Sequence, residues 1–332
     1  MRRLPIFVCV DVSESMAGES LKAVQGGLET MLLALKKDPM VIEIGAISVI
    51  SFGARAKVEV PLSSILDVQL PQLRLSSGTS LGAAIDLLSS EIASKVTKTT
   101  AEMRGDYKSI IFIITDGQPT DDWESSLRRF QGKNRSLSLH AIGCGDDIDF
   151  SMLKKITPNC YALRDMNADS FAKLFKCVSA SIQCATNSIA TGGEKREDLT
   201  EWSGGALEKP NSEDCAPRHG TKQVMLSVTC SRTRKQYLLR YHLNDNEQYV
   251  CVAAHPLIEP LDGGSVKAGQ IHASRLSNPH SCPYCGNQAL VHCQCGELSC
   301  ISPGASEMRC PSCGEGGTIS YDSNFSVDRS KG

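Results

Sequence analysis

The stretch KSIIFIITDG, residues 108–117, sets four isoleucines and a phenylalanine side by side with no polar alternation. A strand with one wet face alternates apolar and polar residues. An unbroken apolar run bounded by polar residues predicts a strand covered on both faces. Its neighbours fit that reading. IFVCVDVS, residues 6–13, is a second apolar run. SLKAVQGGLETMLLALKK, residues 20–37, is predicted to be a helix with Leu21, Val24, Leu28, Leu32 and Leu35 on one face. IEIGAISVISFG and AKVEVPL read as paired strands around a turn at Gly53, and SLGAAIDLLSSEIASKV as a helix. After residue 117 come a helix over 123–130, the strand SLSLHAIGCG, the helix FSMLKKIT, the strand CYALRD and a helix from Ala168. Strands alternating with helices predict an α/β fold, a doubly wound and mainly parallel sheet.

The 332 residues are 41% hydrophobic and 22% charged, an ordinary globular balance and a length for about two domains. Net charge is -2, so no basic field draws in phosphate, and aromatics at 5% are too few for base-stacking platforms. MRRLPIFVCVDVS loosely imitates a secretory leader, but Asp11 ends a short apolar stretch with no small-residue cleavage site. No run is long enough to span a membrane, and the expected location is the cytoplasm.

Composition shifts after residue 187. Residues 188–220 are rich in Gly, Pro and charge and are expected to be a linker, partly ordered around Trp202. Residues 221–332 are expected to form a β-rich metal-binding domain. QVMLSVTC, KQYLLRYHL and QYVCVAAHPLIE read as strands with a hairpin at 244–247, and the tail from Asp322 reads as loose.

Three polar loops fall where a doubly wound sheet binds ligands, beyond the carboxyl ends of its strands. They are DVSES, residues 11–15; SSGTSLG, residues 76–82; and TDGQPTDD, residues 115–122. Together they can bring Asp11, Ser13, Ser15, Thr79 and Asp116 to one point. All five offer oxygen only, which suits Mg²⁺ or Mn²⁺ better than zinc. Taken singly, Ser13 or Ser15 could cap a helix and Asp116-Gly117 could be a plain turn. A serine nucleophile needs a base, and no histidine lies near these loops in sequence; His140 falls inside a predicted strand. There is no G-x-S-x-G and no P-loop.

Seven of the fifteen cysteines lie between Cys282 and Cys313. CPYCG and CPSCG are C-x-x-C knuckles, so Cys282, Cys285, Cys310 and Cys313 are expected to hold one structural Zn²⁺ in a ribbon spanning 276–320. Cys293, Cys295 and Cys300, with His292 or His280, offer a second zinc site or exchange with the knuckle cysteines in another ligand set. Cys215, His219, Cys230, Cys251 and His255 read as core and surface residues, as do Cys9 and Cys144. From Leu276 onward there are only Arg309, Arg329 and Lys331 against five acids, which disfavours nucleic acid. Arg232, Arg234 and Arg240 alternate with Tyr237, Leu239 and Tyr241, the pattern of a half-solvated strand.

D-x-S-x-S, then G-T-x-x-G-x-A at Gly78, Thr79, Gly82 and Ala84, then an apolar strand with T-D-G, resembles the von Willebrand factor A domains. Those domains carry a metal-ion-dependent adhesion site. The resemblance covers about residues 4–186. It implies direct metal ligation by Ser13, Ser15 and Thr79, water-mediated roles for Asp11 and Asp116, Mg²⁺, Mn²⁺ or Ca²⁺ as the ion, and a partner's carboxylate completing the shell. With the cysteine cluster behind it, the chain resembles the TerY-like proteins of bacterial tellurium and stress resistance loci. That likeness implies a non-enzymatic adaptor between a protein kinase and a metal-dependent protein phosphatase, with no membrane or nucleic acid as partner. The alternatives are a subunit of an ATP-driven chaperone or metal-insertion complex, or a metal-dependent hydrolase.

Overall fold

The computed structural model describes residues 2–134, 137–145, 148–191, 198–211, 223–257, 261, 267–320 and 325–330. Cys215 and His219 lie outside them. The chain divides into two units, one of 1–12, 18–74 and 79–218, the other of 13–17, 75–78 and 219–332.

The first unit is built on six strands, β1 (Leu4–Asp11), β2 (Gly45–Phe52), β3 (Ala56–Ser64), β4 (Ile110–Thr115), β5 (Ser138–Cys144) and β6 (Cys160–Leu163), in the order β3-β2-β1-β4-β5-β6. All neighbours are parallel except β2 and β3, whose hairpin makes an antiparallel edge. β4 lies inside the sheet and every residue of it is buried, as the apolar run 110–114 requires. Phe7, Cys9, Ile111 and Ile113 pack with α3 (Leu81–Lys95), α4 (Trp123–Lys133) and α5 (Phe150–Ile156). Alternation turns Ile6, Val8 and Val10 to the other face, where they are equally buried. α1 (Glu19–Leu35), α2 (Pro39–Ile44) and α6 (Ala168–Thr191) pack together and contribute nothing to the first cluster.

The sequence reading ran the second strand back to Ile42, but residues 39–44 are helical. Asp38 accepts from the Met40 and Val41 amides and Pro39 opens the first turn, a cap that overrides the β-branched run. Within the expected linker, Leu199 is fully buried with its amide donating to the Tyr161 hydroxyl. Ala162 and Glu208 exchange backbone hydrogen bonds. The described part of that segment therefore belongs to the first unit.

Adjacent glycines on α1 have opposite roles. A Cβ on Gly27 would lie 2.2 Å from the Phe175 ring, whereas one on Gly26 meets nothing within 4 Å. Gly27→Ala should destabilise the chain by about 1–3 kcal/mol through overpacking of a buried ring. Gly26→Ala should stabilise it by about 1 kcal/mol through helix propensity. Urea unfolding of the two variants checks the difference in sign.

The second unit centres on β7 (Gln223–Thr229), β8 (Gln236–Leu243) and β9 (Tyr249–Pro256), an antiparallel meander. β10 (Lys267–His272) and β11 (Leu276–Ser277) follow, then the hairpin β12 (Ala289–His292) and β13 (Leu298–Ile301), the ribbon β14 (Glu307–Arg309) and β15 (Gly316–Thr318), and β16 (Ser326–Ser330). The tail expected to be loose is thus a strand from Ser326, paired with β10 and β7 and pinned by Val327, which is 1% exposed. β13 runs parallel to β7 with Ser299 opposite Thr229, and β14 and β15 form a two-stranded sheet of their own.

Candidate metal centres

β1 and β4 are neighbours, so their carboxyl ends deliver Asp11 and Thr115 side by side. Asp11 is fully buried, and its Oδ2 accepts from the Thr115 hydroxyl at 2.6 Å. Asp116 follows directly. Burial first, and then the charges of Asp116 and Asp11, push the Cys144 thiol well up. Thr79 is gripped by the loop after β4: its amide donates to Thr120 Oγ1 at 3.2 Å and its carbonyl accepts from the Thr120 amide at 2.9 Å.

The Thr79 hydroxyl is the telling atom. Its Oγ1 is buried with no hydrogen-bond partner. Such an atom costs about 1–3 kcal/mol unless something satisfies it. A Cβ on Gly117 would fall 2.8 Å from that oxygen and 3.7 Å from Asp11 Oδ2. Glycine therefore leaves a gap against a carboxylate and an unsatisfied hydroxyl, a donor set and a cradle that fit a hard cation.

Sequence reasoning missed Asp121. It accepts from the Gly82 and Ala83 amides at 2.9 Å each and so anchors the start of α3 just beyond Thr79. A Cβ on Gly82 would meet Asp121 Oδ2 and the Trp123 backbone at 2.9 Å, which explains the glycine of G-T-x-x-G.

In the second unit, Ser13 and Ser15 hydroxyls lie 2.9 Å apart, and both residues are buried. Ser13 precedes a short 3₁₀ turn but its side chain makes no capping hydrogen bond, against the simple cap reading. Glu14 Oε2 accepts from the Gly78 amide at 2.7 Å. Arg240 donates to the Ser15 and Ala17 carbonyls at 2.8 and 3.0 Å, a role its place in the alternating strip did not disclose.

The thiolate chemistry assembles differently from the expected ribbon. Cys230, Cys282, Cys285 and Cys300 form one cluster and Cys293, Cys295, Cys310 and Cys313 another, with the sulfurs of each within 4.8 Å of one another. Cys282 and Cys285 therefore do not join Cys310 and Cys313. The cause is the register of β13 on β7. It puts Cys300 beside the turn that follows β7, where the Ser231 amide donates to Cys300 Sγ at 3.4 Å. His292 is no ligand of either cluster and instead stacks on Phe325 with centroids 5.4 Å apart.

Cys230, read as a core residue, is a ligand candidate because its turn copies the two knuckles. In each, the cysteine amide donates to the carbonyl five residues on and its carbonyl accepts from the amide four residues on. The pairs are Lys235 and Arg234 for Cys230, Asn287 and Gly286 for Cys282, and Glu315 and Gly314 for Cys310. Gly286 and Gly314 each have φ of 79°, and Arg234 holds 58° where glycine would be usual. With one cysteine and an arginine in the glycine place, that turn had no knuckle signature.

A tetrahedral zinc with Zn–S bonds of about 2.3 Å holds its sulfurs about 3.8 Å apart. Cys285 and Cys300 sulfurs are separated by 3.5 Å, and the Cys293–Cys313 and Cys295–Cys310 pairs by 3.7 Å. Both clusters fit the ion. Away from them burial pushes the Cys9 thiol up to about 12 and raises those of Cys144, Cys177 and Cys251, so these four remain neutral core groups. No disulfide occurs among the described residues.

The sequence model of the von Willebrand factor type A domain matches residues 6–176. The chain belongs to that family. Its C-terminal part, residues 220–332, matches the TerY-C metal binding domain. This is therefore a von Willebrand factor A protein with a TerY-like metal-binding module. Mouse (Mus musculus) inter-alpha-trypsin inhibitor heavy chain H2 is 26% identical over 165 residues, which are 46% of this chain and 16% of that protein. Among solved structures, mussel byssus proximal thread matrix protein 1 with a zinc-occupied MIDAS motif aligns at 15% identity and a TM-score of 0.42, over 69% of this chain and 51% of that one. BatB from Bacteroides thetaiotaomicron aligns at 16% and 0.38, over 57% of this chain and 100% of that one. Likenesses this distant add nothing to the family match. Among the described residues no helix is long and apolar enough to cross a membrane.

Proposed function

We propose that this protein is a non-enzymatic, cytoplasmic adaptor whose von Willebrand A domain binds one hard divalent cation, Mg²⁺ or else Mn²⁺ or Ca²⁺. Ser13, Ser15 and Thr79 would ligate the ion directly, and Asp11 and Asp116 would act through water. The remaining coordination position takes a carboxylate from a partner protein. The C-terminal module, folded by zinc, is the second docking surface. The observation that carries this reading is the buried Thr79 hydroxyl, unpartnered beside the gap at Gly117.

Binding is favoured over turnover because the candidate base is committed elsewhere. His140 is 1% exposed inside the sheet, pairs with Ser138 at 3.2 Å and stacks on Phe112 at 5.2 Å. The resemblance to TerY-like proteins suggests a protein kinase and a metal-dependent phosphatase as partners in a tellurium or stress response.

Immobilised full-length chain in Mg²⁺, washed and then eluted with chelator, tests the proposal. The eluate should contain those two enzymes from wild type and neither from Thr79→Ala. Equal recovery from the variant, or elution of an ATPase instead, would contradict it. Phosphatase activity of the purified chain itself would favour the hydrolase alternative.

A further inference from the structure

Resting on the zinc reading, we infer that the two four-cysteine clusters hold their ions on different terms. The Cys230 cluster keeps its ion as part of the core. The Cys293 cluster exchanges its ion with solvent, and the β14–β15 ribbon is ordered only while that cluster is filled.

The sulfurs are alike and their surroundings are not. Cys230 and Cys300 are 0% exposed and Cys282 is 2% exposed, and all three belong to the core with Val228, Tyr237 and Leu298. Cys285 is half-buried and packs against the same core, so three of the four sulfurs are closed to a competing ligand unless that core opens. In the other cluster Cys295 and Cys313 are exposed, Cys293 is half-buried and only Cys310 is buried. None of these four sulfurs belongs to the core cluster. A closed four-thiolate shell resists exchange only as far as the protein excludes the incoming ligand.

The ribbon has little else to hold it. Its two strands are three residues each, and β15 is exposed throughout. No residue of 302–319 enters the core cluster. Its described backbone hydrogen bonds outside the strands are internal: Ala305 to Ser302, Cys310 to Glu315, Gly314 to Cys310 and Ile319 to Ser306. At its base the Ser302 hydroxyl meets Asn287 Oδ1 at a long 3.4 Å. An isolated two-stranded hairpin is marginal in water at best, and units this small need a metal or a disulfide. The tie between Cys293 and Cys295 on one side and Cys310 and Cys313 on the other is what joins the ribbon to the β12–β13 hairpin.

The test is chelator challenge of zinc-loaded full-length chain, with released zinc followed by a colorimetric chelator and amide exchange followed by mass spectrometry. One of two equivalents should leave in a separate, faster phase, and protection should fall over residues 302–319 while β7, β8 and β9 keep theirs. Cys313→Ser should lack the fast equivalent and show the same ribbon exchange without chelator. A single release phase for both equivalents, or ribbon protection surviving loss of the fast one, would overturn the inference. A starting chain that never holds two equivalents would overturn the zinc reading itself and this inference with it.

Discussion

Cys300→Ser should leave the C-terminal module unfolded. Cys300 is fully buried, lies on β13 and brings its sulfur within 3.5 Å of Cys285. Structural Zn²⁺ contributes about 10–16 kcal/mol of binding free energy to folding in small zinc domains. A whole domain is stable by only about 5–15 kcal/mol. Losing the inner ion therefore exceeds what the β7–β9 meander can supply by its own core. Bound zinc should fall, and amide dispersion from residues 223–320 should collapse while the first unit keeps its signals. Cys251→Ser is the control. That side chain is also buried but belongs to neither cluster, so only a modest core penalty of about 1–3 kcal/mol is expected. A Cys300→Ser chain that keeps both its zinc and its dispersion would contradict the assignment.

Gly117→Ala should cost divalent affinity while the fold survives. The new methyl enters 2.8 Å from Thr79 Oγ1 and 3.7 Å from Asp11 Oδ2, the gap that the hydroxyl and carboxylate border. Displacing a ligand hydroxyl should weaken binding at least as much as losing a supporting contact, about 10–100-fold. Magnesium titration calorimetry reads the affinity. Thermal unfolding in chelator reads the structural cost of that contact and so separates lost binding from lost structure. Thr79→Ser, which keeps the hydroxyl, should retain most of the affinity.

How far the sequence discloses this molecule differs between its halves. The sheet is legible because β4 must be buried on both faces and the strands around it alternate with amphipathic helices. Part of the oxygen motif is legible because a parallel sheet sends the ends of its strands to one edge, and Asp11 and Thr79, far apart in sequence, both border Gly117. α2 was hidden because Asp38 and Pro39 impose a helical start on a run that reads as β. The three knuckle-like turns could be found singly only where two cysteines and a glycine marked them. Which turn faces which depends on β13 lying against β7, a long-range pairing that leaves no local trace. Cys230 was invisible for that reason, and Arg234 held at φ 58° concealed the turn further. β16 escaped because it carries a single apolar anchor, Val327, among four polar residues and so shows no strand periodicity.

The central claim is that the von Willebrand A domain holds one hard cation through Thr79 and its neighbours. Electron paramagnetic resonance of the full-length, zinc-loaded chain titrated with Mn²⁺ tests it most directly. The account predicts one bound Mn²⁺ per chain in an oxygen environment, displaced by Mg²⁺ and absent from Thr79→Ala. Mn²⁺ binding that is undiminished in Thr79→Ala, or no bound Mn²⁺ in the wild type, would contradict it.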